Sequence, residues 1–475
     1  MIIRHLLSAA ILTATVAATS AAVAAEDLGG GFFILNEDWY GHQNSTINYL
    51  RPDDPNGVYW DYRVFQSRNS GKELGCTAQH GIAWGGRLYI IAKQEKDPGA
   101  SVTGARITVC DAKTMECVAQ LTEIDPSGKR CDGRGVCGVS LEKVYISSSN
   151  GIWVFDTRSL TVTGQIPGTE NPNGTDGATT DPSGTLYKGQ CGTMLLADGL
   201  VFAAHQQSGL LIIDPTTDKV IKTISMDVVQ DGAGIGSIVK DRNGILWIST
   251  DKNIRGTGNP LNKLVRLDPK SLEYEVITLD DDVLPPNNSW YAWTPDAFCA
   301  SARQDYLYWR ANAGKGQAAW FNGVYLYRFN TVTHKAEVIR NFKEEGAGWS
   351  IYGCSLRVHP VTDEIYMSLY QGNQKTTYIT RRCDADGNTI KDYPMIANYW
   401  FPSLPIFTED DPYPLSVSDI TVDDSASSPV EYYNLQGIRV AAEDGIASLP
   451  AGVYIRRQGA RTSKILVRKS ARYIH

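Results

Sequence analysis

Short apolar runs alternate with Gly, Asp, Pro and Asn turns along nearly the whole chain, and helical periodicity is almost absent. One stretch, Cys191 to Ile224, "CGTMLLADGLVFAAHQQSGLLIIDPTTDKVIKTI", resolves into four strands: Gly192–Leu196, Leu200–Ala204, Gly209–Ile213 and Val220–Ile224. Asp214 and Pro215 make its last turn, because Asp bonds its own backbone two residues on and Pro fixes the next φ. Four hairpin-joined strands are one blade of a β-propeller.

The unit recurs. Copies begin at Cys76, Cys137, Cys191, Cys299 and Cys354, and another at Ile235–Gly236, where these two residues take the cysteine place. Gly31 to Phe65 supplies a seventh copy that lacks its own first strand. A ring that closes without an exposed edge takes that strand from its other end. The tail Asn398–Phe407, "NYWFPSLPIF", is placed to provide it or simply to pack there. The expected fold is all-β: a seven-bladed propeller over residues 29–409, a polar linker over 410–429 and a small β-domain over 430–475.

The repeat changes how the nine cysteines read. Five of them, Cys76, Cys137, Cys191, Cys299 and Cys354, fall on the innermost strand, where small apolar side chains fit, so they read as packing rather than as a disulfide framework. Cys110 and Cys117 flank one hairpin turn and are open to bridging; Cys131 and Cys383 are left over.

At the start, Arg4 and His5 precede an apolar stretch from Leu6 to Val23, and Ala22–Val23–Ala24 forms a small-x-small cleavage site, so residues 1–25 read as a signal peptide. No cysteine near that site offers a lipid acceptor, and no later stretch is apolar enough to span a membrane. The expected location is therefore secreted or cell-surface, without a lipid anchor. A net charge of −7 argues against nucleic acid as a partner, which needs a basic patch.

In a propeller, the loops from second to third strand and those between blades emerge on one face. Here that face collects Asn36, Glu37, Trp39, Tyr40, His42, His205, Gln206, Asp251, Trp290, Tyr291, Trp293, Arg310, Trp320, Trp349, Tyr370, Tyr399 and Trp400. Large aromatics beside amides and a few charges suit a pocket that buries and orients an amphipathic ligand.

Catalytic patterns fare worse. The channel mouth presents Gly75, Val136, Gln190, Phe298 and Gly353, with Asp296 the one acid nearby, which is a poor ligand set for a divalent cation. Ser140–Lys143 imitates Ser-x-x-Lys but lies at a hairpin, and Gly232–Ser237 imitates a phosphate loop with no helix behind it. Asp384–Asn388 and Asp280–Asp282 read as acidic turns rather than calcium loops. No Ser or Cys triad with His assembles. The expectation is no catalytic residue, no metal and no cofactor.

With the blades laid out, "GGGFFILNEDWYGHQNSTINYL" at residues 29–50 and "YWFPSLPIF" at 399–407 resemble the ends of exported YncE-like, DUF5074-type propellers. That family includes surface proteins that capture vitamin B12 and other corrinoids for outer-membrane transporters. The resemblance implies capture of a small molecule, corrinoid in type, with an outer-membrane transporter as partner, and Asn36, Glu37, Trp39 and Tyr40 match the family's opening loop. The corrinoid capturers are lipoproteins, whereas this chain lacks the lipid-acceptor cysteine, so a paralogue with another ligand stays open. The tail segments "YNLQG", "GVYI" and the basic final strand resemble type IX secretion sorting domains. The alternatives are a scaffold that binds protein or glycan, or a propeller hydrolase or lyase.

Overall fold

A computed structural model describes residues 27–174, 187–254, 260–286, 290, 297–313, 322–372, 374–413, 430–434, 438–440, 449–458 and 461–467. The expected signal peptide and most of the expected linker lie outside them.

The described residues form eight antiparallel sheets, seven of them between Phe32 and Ile406. The fourth, Cys191–Ala197, Leu200–His205, Gly209–Asp214 and Lys219–Ile224, matches the strands read from the sequence to within two residues. Its two middle strands show why these runs are apolar at every position. Phe202, Ala204, Leu210 and Ile212 face one core cluster shared with the fifth sheet, while Val201, Ala203, Leu211 and Ile213 face another shared with the third. A strand buried on both faces has no polar side, so period-two alternation gives way to a continuous apolar run. Each Val, Leu, Ile or Phe among them contributes about 1.5–3 kcal/mol when fully buried.

The same arrangement repeats round the molecule, with cores between first and second, second and third, fifth and sixth, and sixth and seventh sheets. The leading strands touch in a closed order: Pro402–Ile406, Cys76–Trp84, Gly133–Ser140, Cys191–Ala197, Gly234–Lys240, Cys299–Ala300, Trp349–Val358, and back to Pro402–Ile406.

Closure uses the strand the sequence left in question. Pro402–Ile406 pairs antiparallel with Phe32–Asn36, with Leu35 opposite Leu404 and Asn36 opposite Pro402. Two prolines are tolerated because this strand is the inner edge of its sheet, where missing N–H groups cost no ladder bond. Ser403 Oγ donates to the carbonyls of Leu35 and Ala78, at 3.2 and 3.0 Å, tying the first sheet to the second. Phe407 fills the core between first and seventh sheets, against Phe32 and Tyr366.

All five recurring cysteines lie on leading strands, as expected, but at different heights. Cys76 pairs with Gln94 and Cys191 with His205, each the last residue of its second strand; Cys137 sits opposite Tyr145 and Cys299 opposite Tyr308, lower down. β-Bulges explain part of the offset. The leading strand slips register at Ala78/His80, Gly133/Gly135, Cys191/Met194, Ile235/Ile238 and Ile351/Leu356. A bulge bends the strand and re-aims its side chains, as sheets do beside sites.

In the segment expected to be a small β-domain, the described residues form a four-stranded sheet: Val430–Tyr433, Arg439–Val440, Gly452–Gln458 and Arg461–Val467. Its first two strands pair with each other, Tyr432 opposite Val440, around a small core of Leu449, Tyr454, Ile465 and Val467.

Candidate functional site

The ring closure builds an aromatic patch at its loop-face end. Beyond the Asn36–Pro402 pair the two segments stay in register, with Glu37 N–H donating to Phe401 O and Asp38 N–H to Trp400 O, both at 3.0 Å. One step further, Trp39 meets Tyr399, ring centroids 4.2 Å apart and 26° from parallel. His42 lies 3.7 Å from the same indole, brought back by a turn in which its N–H donates to Trp39 O. Tyr40 projects beside them, 52% exposed.

Asp38 shapes that loop. It takes a left-handed backbone conformation, φ 59°, uncommon for a residue other than glycine and found where structure around it enforces it. Its buried carboxyl is pushed up to about 8 by burial, despite donors Thr46 Oγ1 at 2.7 Å and Gln43 Nε2 at 2.5 Å.

Inside the patch, towards the axis, lies a polar group. Glu37 accepts a hydrogen bond from Gln79 Nε2 at 2.6 Å and another from Tyr352. Burial raises its carboxyl above the usual range, while nearby Lys93 pulls the other way. Burial in turn brings the Lys93 ammonium down to about 8, with Glu37 opposing. Further round, Asp132 lies between two guanidinium groups, Arg130 Nε at 3.5 Å and Arg134 Nη2 at 3.8 Å. Arg134 sits over the Tyr187 ring at 5.9 Å and donates through Nε to Gln190 Oε1 at 2.7 Å; Gln190 Nε2 then donates to Trp290 O.

Of the residues picked out by the sequence, Trp39, Tyr40, His42 and Tyr399 come together at the surface, and Glu37 lies just beneath. Several others are structural in this arrangement. Trp290 is fully buried between fourth and fifth sheets, its Nε1 donating to Ile235 O. Trp400 is buried with Tyr62 stacked on it and Nε1 donating to Ile396 O. His205 caps a turn, its Nδ1 accepting from the N–H groups of Gln207 and Ser208, and the Asp251 carboxylate accepts from Asn253 N–H. Gln206 exchanges bonds with Gln190, Asn36 donates to Thr46, Arg310 donates to Gly353 O, and Tyr370 donates to Asn322. Trp349 is half-buried against the core between sixth and seventh sheets. Tyr291, Trp293, Trp320 and Asp296 lie outside the described residues.

Sequence reasoning missed Gln79, Lys93, Arg130, Asp132, Arg134, Tyr187 and Tyr352. Their one signal was position: Lys93, Arg134 and Tyr352 all stand at the loop-face ends of first or second strands.

The rejected catalytic strings lie where the sequence placed them. Ser140 and Lys143 face each other across a hairpin, Gly234 opens a leading strand, and Asp384–Asn388 forms a hairpin turn. The buried thiol of Cys76 donates to Asp97 and is pushed up to about 12 by burial. Among the described residues no group of three or more His, Cys, Asp or Glu side chains is gathered to hold a metal ion. What the loop face offers is a stacked aromatic surface suited to a flat apolar group, with a largely buried set of carboxyl, amide, ammonium and guanidinium groups beneath it.

Among solved structures, the chain is similar to a quinonprotein alcohol dehydrogenase-like protein from Bacteroides thetaiotaomicron VPI-5482, at 15% identity, covering 81% of this chain and 79% of that one with a TM-score of 0.57. That likeness shows the fold alone, a β-propeller-like one, in keeping with the closed order of sheets. The WD40 repeats of RRP9 align at 7% identity over 70% of this chain and 84% of that one, TM-score 0.44. No curated protein matches the chain. Residues 30–408 match a family described as a domain of unknown function, DUF5074, and the chain belongs to that family.

Proposed function

We propose that this chain is an exported, seven-bladed β-propeller that captures a bulky amphipathic small molecule on its loop face and carries out no chemistry on it. The observation that supports this reading is the Trp39, His42 and Tyr399 stack beside half-exposed Tyr40, at the surface where the two ends of the ring meet. Two chain ends aligned to present stacked rings to solvent gain less for the fold than buried rings do, and such surfaces suit ligands with one flat apolar side. Corrinoid is the ligand type that the resemblance of the ring's ends suggests, with delivery to an outer-membrane transporter.

The test is calorimetric titration of the purified chain with cyanocobalamin. Binding that weakens about tenfold in Trp39→Ala and again in Tyr399→Ala is expected, since each aromatic contact is worth roughly 0.5–1.5 kcal/mol beyond its buried area. Absence of heat and of spectral change removes the corrinoid assignment. Binding that survives both substitutions removes the stack as the site.

A further inference from the structure

We propose that Cys110 and Cys117 form an intramolecular disulfide that staples the outer hairpin of the second sheet. In that sheet Ile107–Asp111 pairs antiparallel with Cys117–Leu121, and Cys110 is the partner of Cys117 just past a register shift between Val109 and Cys110. The main-chain N–H of Cys117 does not cross to Cys110; it donates to Asn69 Oδ1 at 2.7 Å. Partners without cross-strand hydrogen bonds are the closer kind, about 4.5 Å between Cα atoms. Disulfides span about 4.4–6.8 Å on the same measure.

Both thiols also point the same way. Cys110 belongs to the core between first and second sheets, and Cys117 packs against that cluster, whereas their neighbours Val109 and Ala119 face the core on the opposite side. The hairpin itself is held in place from outside: Asn69 Nδ2 donates to Met115 O at 2.9 Å, and Met115 N–H donates to Asp111 O. The two thiols, both free in this structure, thus start from paired backbone positions on the same side of the hairpin. The outermost strand of a sheet has one unpaired edge and is the first to fray, so a covalent link here acts where the ladder is weakest.

The oxidant is a low-molecular-weight disulfide such as oxidised glutathione. Cys117, the more accessible of the two, attacks as thiolate, forming a mixed disulfide and releasing one glutathione thiol. Cys110 then displaces the second, so that two S–H bonds are lost, one S–S bond forms and two glutathione thiols are released. This chemistry does not depend on any ligand at the loop face.

The full chain, first reduced, is incubated with oxidised glutathione, quenched with an alkylating agent under denaturing conditions and mapped by peptide mass spectrometry. The expected product is one linkage joining Cys110 to Cys117, lighter than the dithiol by two hydrogens, together with a shift of the guanidinium unfolding midpoint to higher concentration. The double variant C110A/C117S is expected to show no redox-dependent shift. Recovery of both cysteines alkylated after oxidation overturns the proposal, as does linkage of either one to another cysteine instead. A midpoint indifferent to oxidation in the wild-type chain overturns the stapling role.

Discussion

Phe407→Ala tests whether the ring is held at its seam by the wedge that the structure places there. Phe407 is fully buried, with Phe32 of the first sheet at 4.8 Å between ring centroids and His359 and Tyr366 of the seventh at 4.7 and 6.0 Å. The Arg357 guanidinium lies over the same ring at 5.5 Å. Truncating a buried Phe costs about 3–5 kcal/mol, through lost transfer energy and the cavity left behind. A loss of about 4 kcal/mol corresponds to roughly a thousandfold in the folding equilibrium. This interface differs from the other six because its two sheets come from opposite ends of the ring, so local opening there needs no other sheet to unfold. Guanidinium unfolding measures the total loss, and amide hydrogen exchange locates it. Exchange is expected to rise first in Phe32–Asn36 and Pro402–Ile406, with Leu200–His205 unaffected. Val332→Ala, at a side chain 69% exposed, is the control and should move stability by no more than about 0.5 kcal/mol. Wild-type exchange at both seam strands in the Phe407 variant would refute the reasoning, whatever the unfolding midpoint does.

Three further outcomes are expected. Gly138→Ala places a Cβ within the indole of Trp84, which is fixed by its Nε1 donating to Ser140 O at 2.7 Å, and should cost about 1–3 kcal/mol by denaturant titration; an unchanged midpoint would show that the indole can move aside. Burial lowers the His80 imidazole from 6.5 to about 4, so on acidification the unfolded chain takes up its proton first and stability is lost as pH falls from 6.5 towards 4, by at most about 3 kcal/mol. Stability measured across that range in His80→Asn, which keeps an acceptor for Val136 N–H, should show a shallower loss, and equal slopes would assign the acid sensitivity elsewhere. Asp411 accepts from the N–H groups of Gly85 and Gly86 at 2.9 and 2.7 Å, latching the end of the ring to a hairpin of the second sheet; Asp411→Ala should cost about 1–3 kcal/mol and raise exchange at those two amides, and unchanged exchange would refute the latch.

Much of the fold was legible because each sheet is local: four consecutive runs, joined by hairpins, whose turn chemistry and apolar pattern lie within one stretch such as Cys191–Ile224. The missing first strand at Gly31–Phe65 pointed to the far end of the ring, but whether Asn398–Phe407 pairs there or only packs was settled by the register with Phe32–Asn36. The aromatic stack was half-legible. Trp39 and Tyr399 were both picked out from their loops, but their contact depends on a register set between segments some 360 residues apart, through Asn36 opposite Pro402.

Burial was the harder matter. Trp290 and Trp400 sit in loops by sequence, and a loop tryptophan looks the same whether it faces solvent or the core; only the packing of neighbouring sheets sends these two inward. The polar group at the axis was missed for the converse reason. Lys93, Arg134 and Tyr352 come from three different sheets, and nothing local marks them as neighbours until the ring brings their strand ends together.

The sequence by itself thus determined the strands, their order and the repeat, because hydrogen bonding and side-chain alternation act over a few residues. The tertiary structure alone decided the height of each leading-strand cysteine, the seam at Trp39 and Tyr399, and which loop aromatics face outward. Those depend on bulges and on distances across the ring, which are settled when seven inter-sheet cores pack at once.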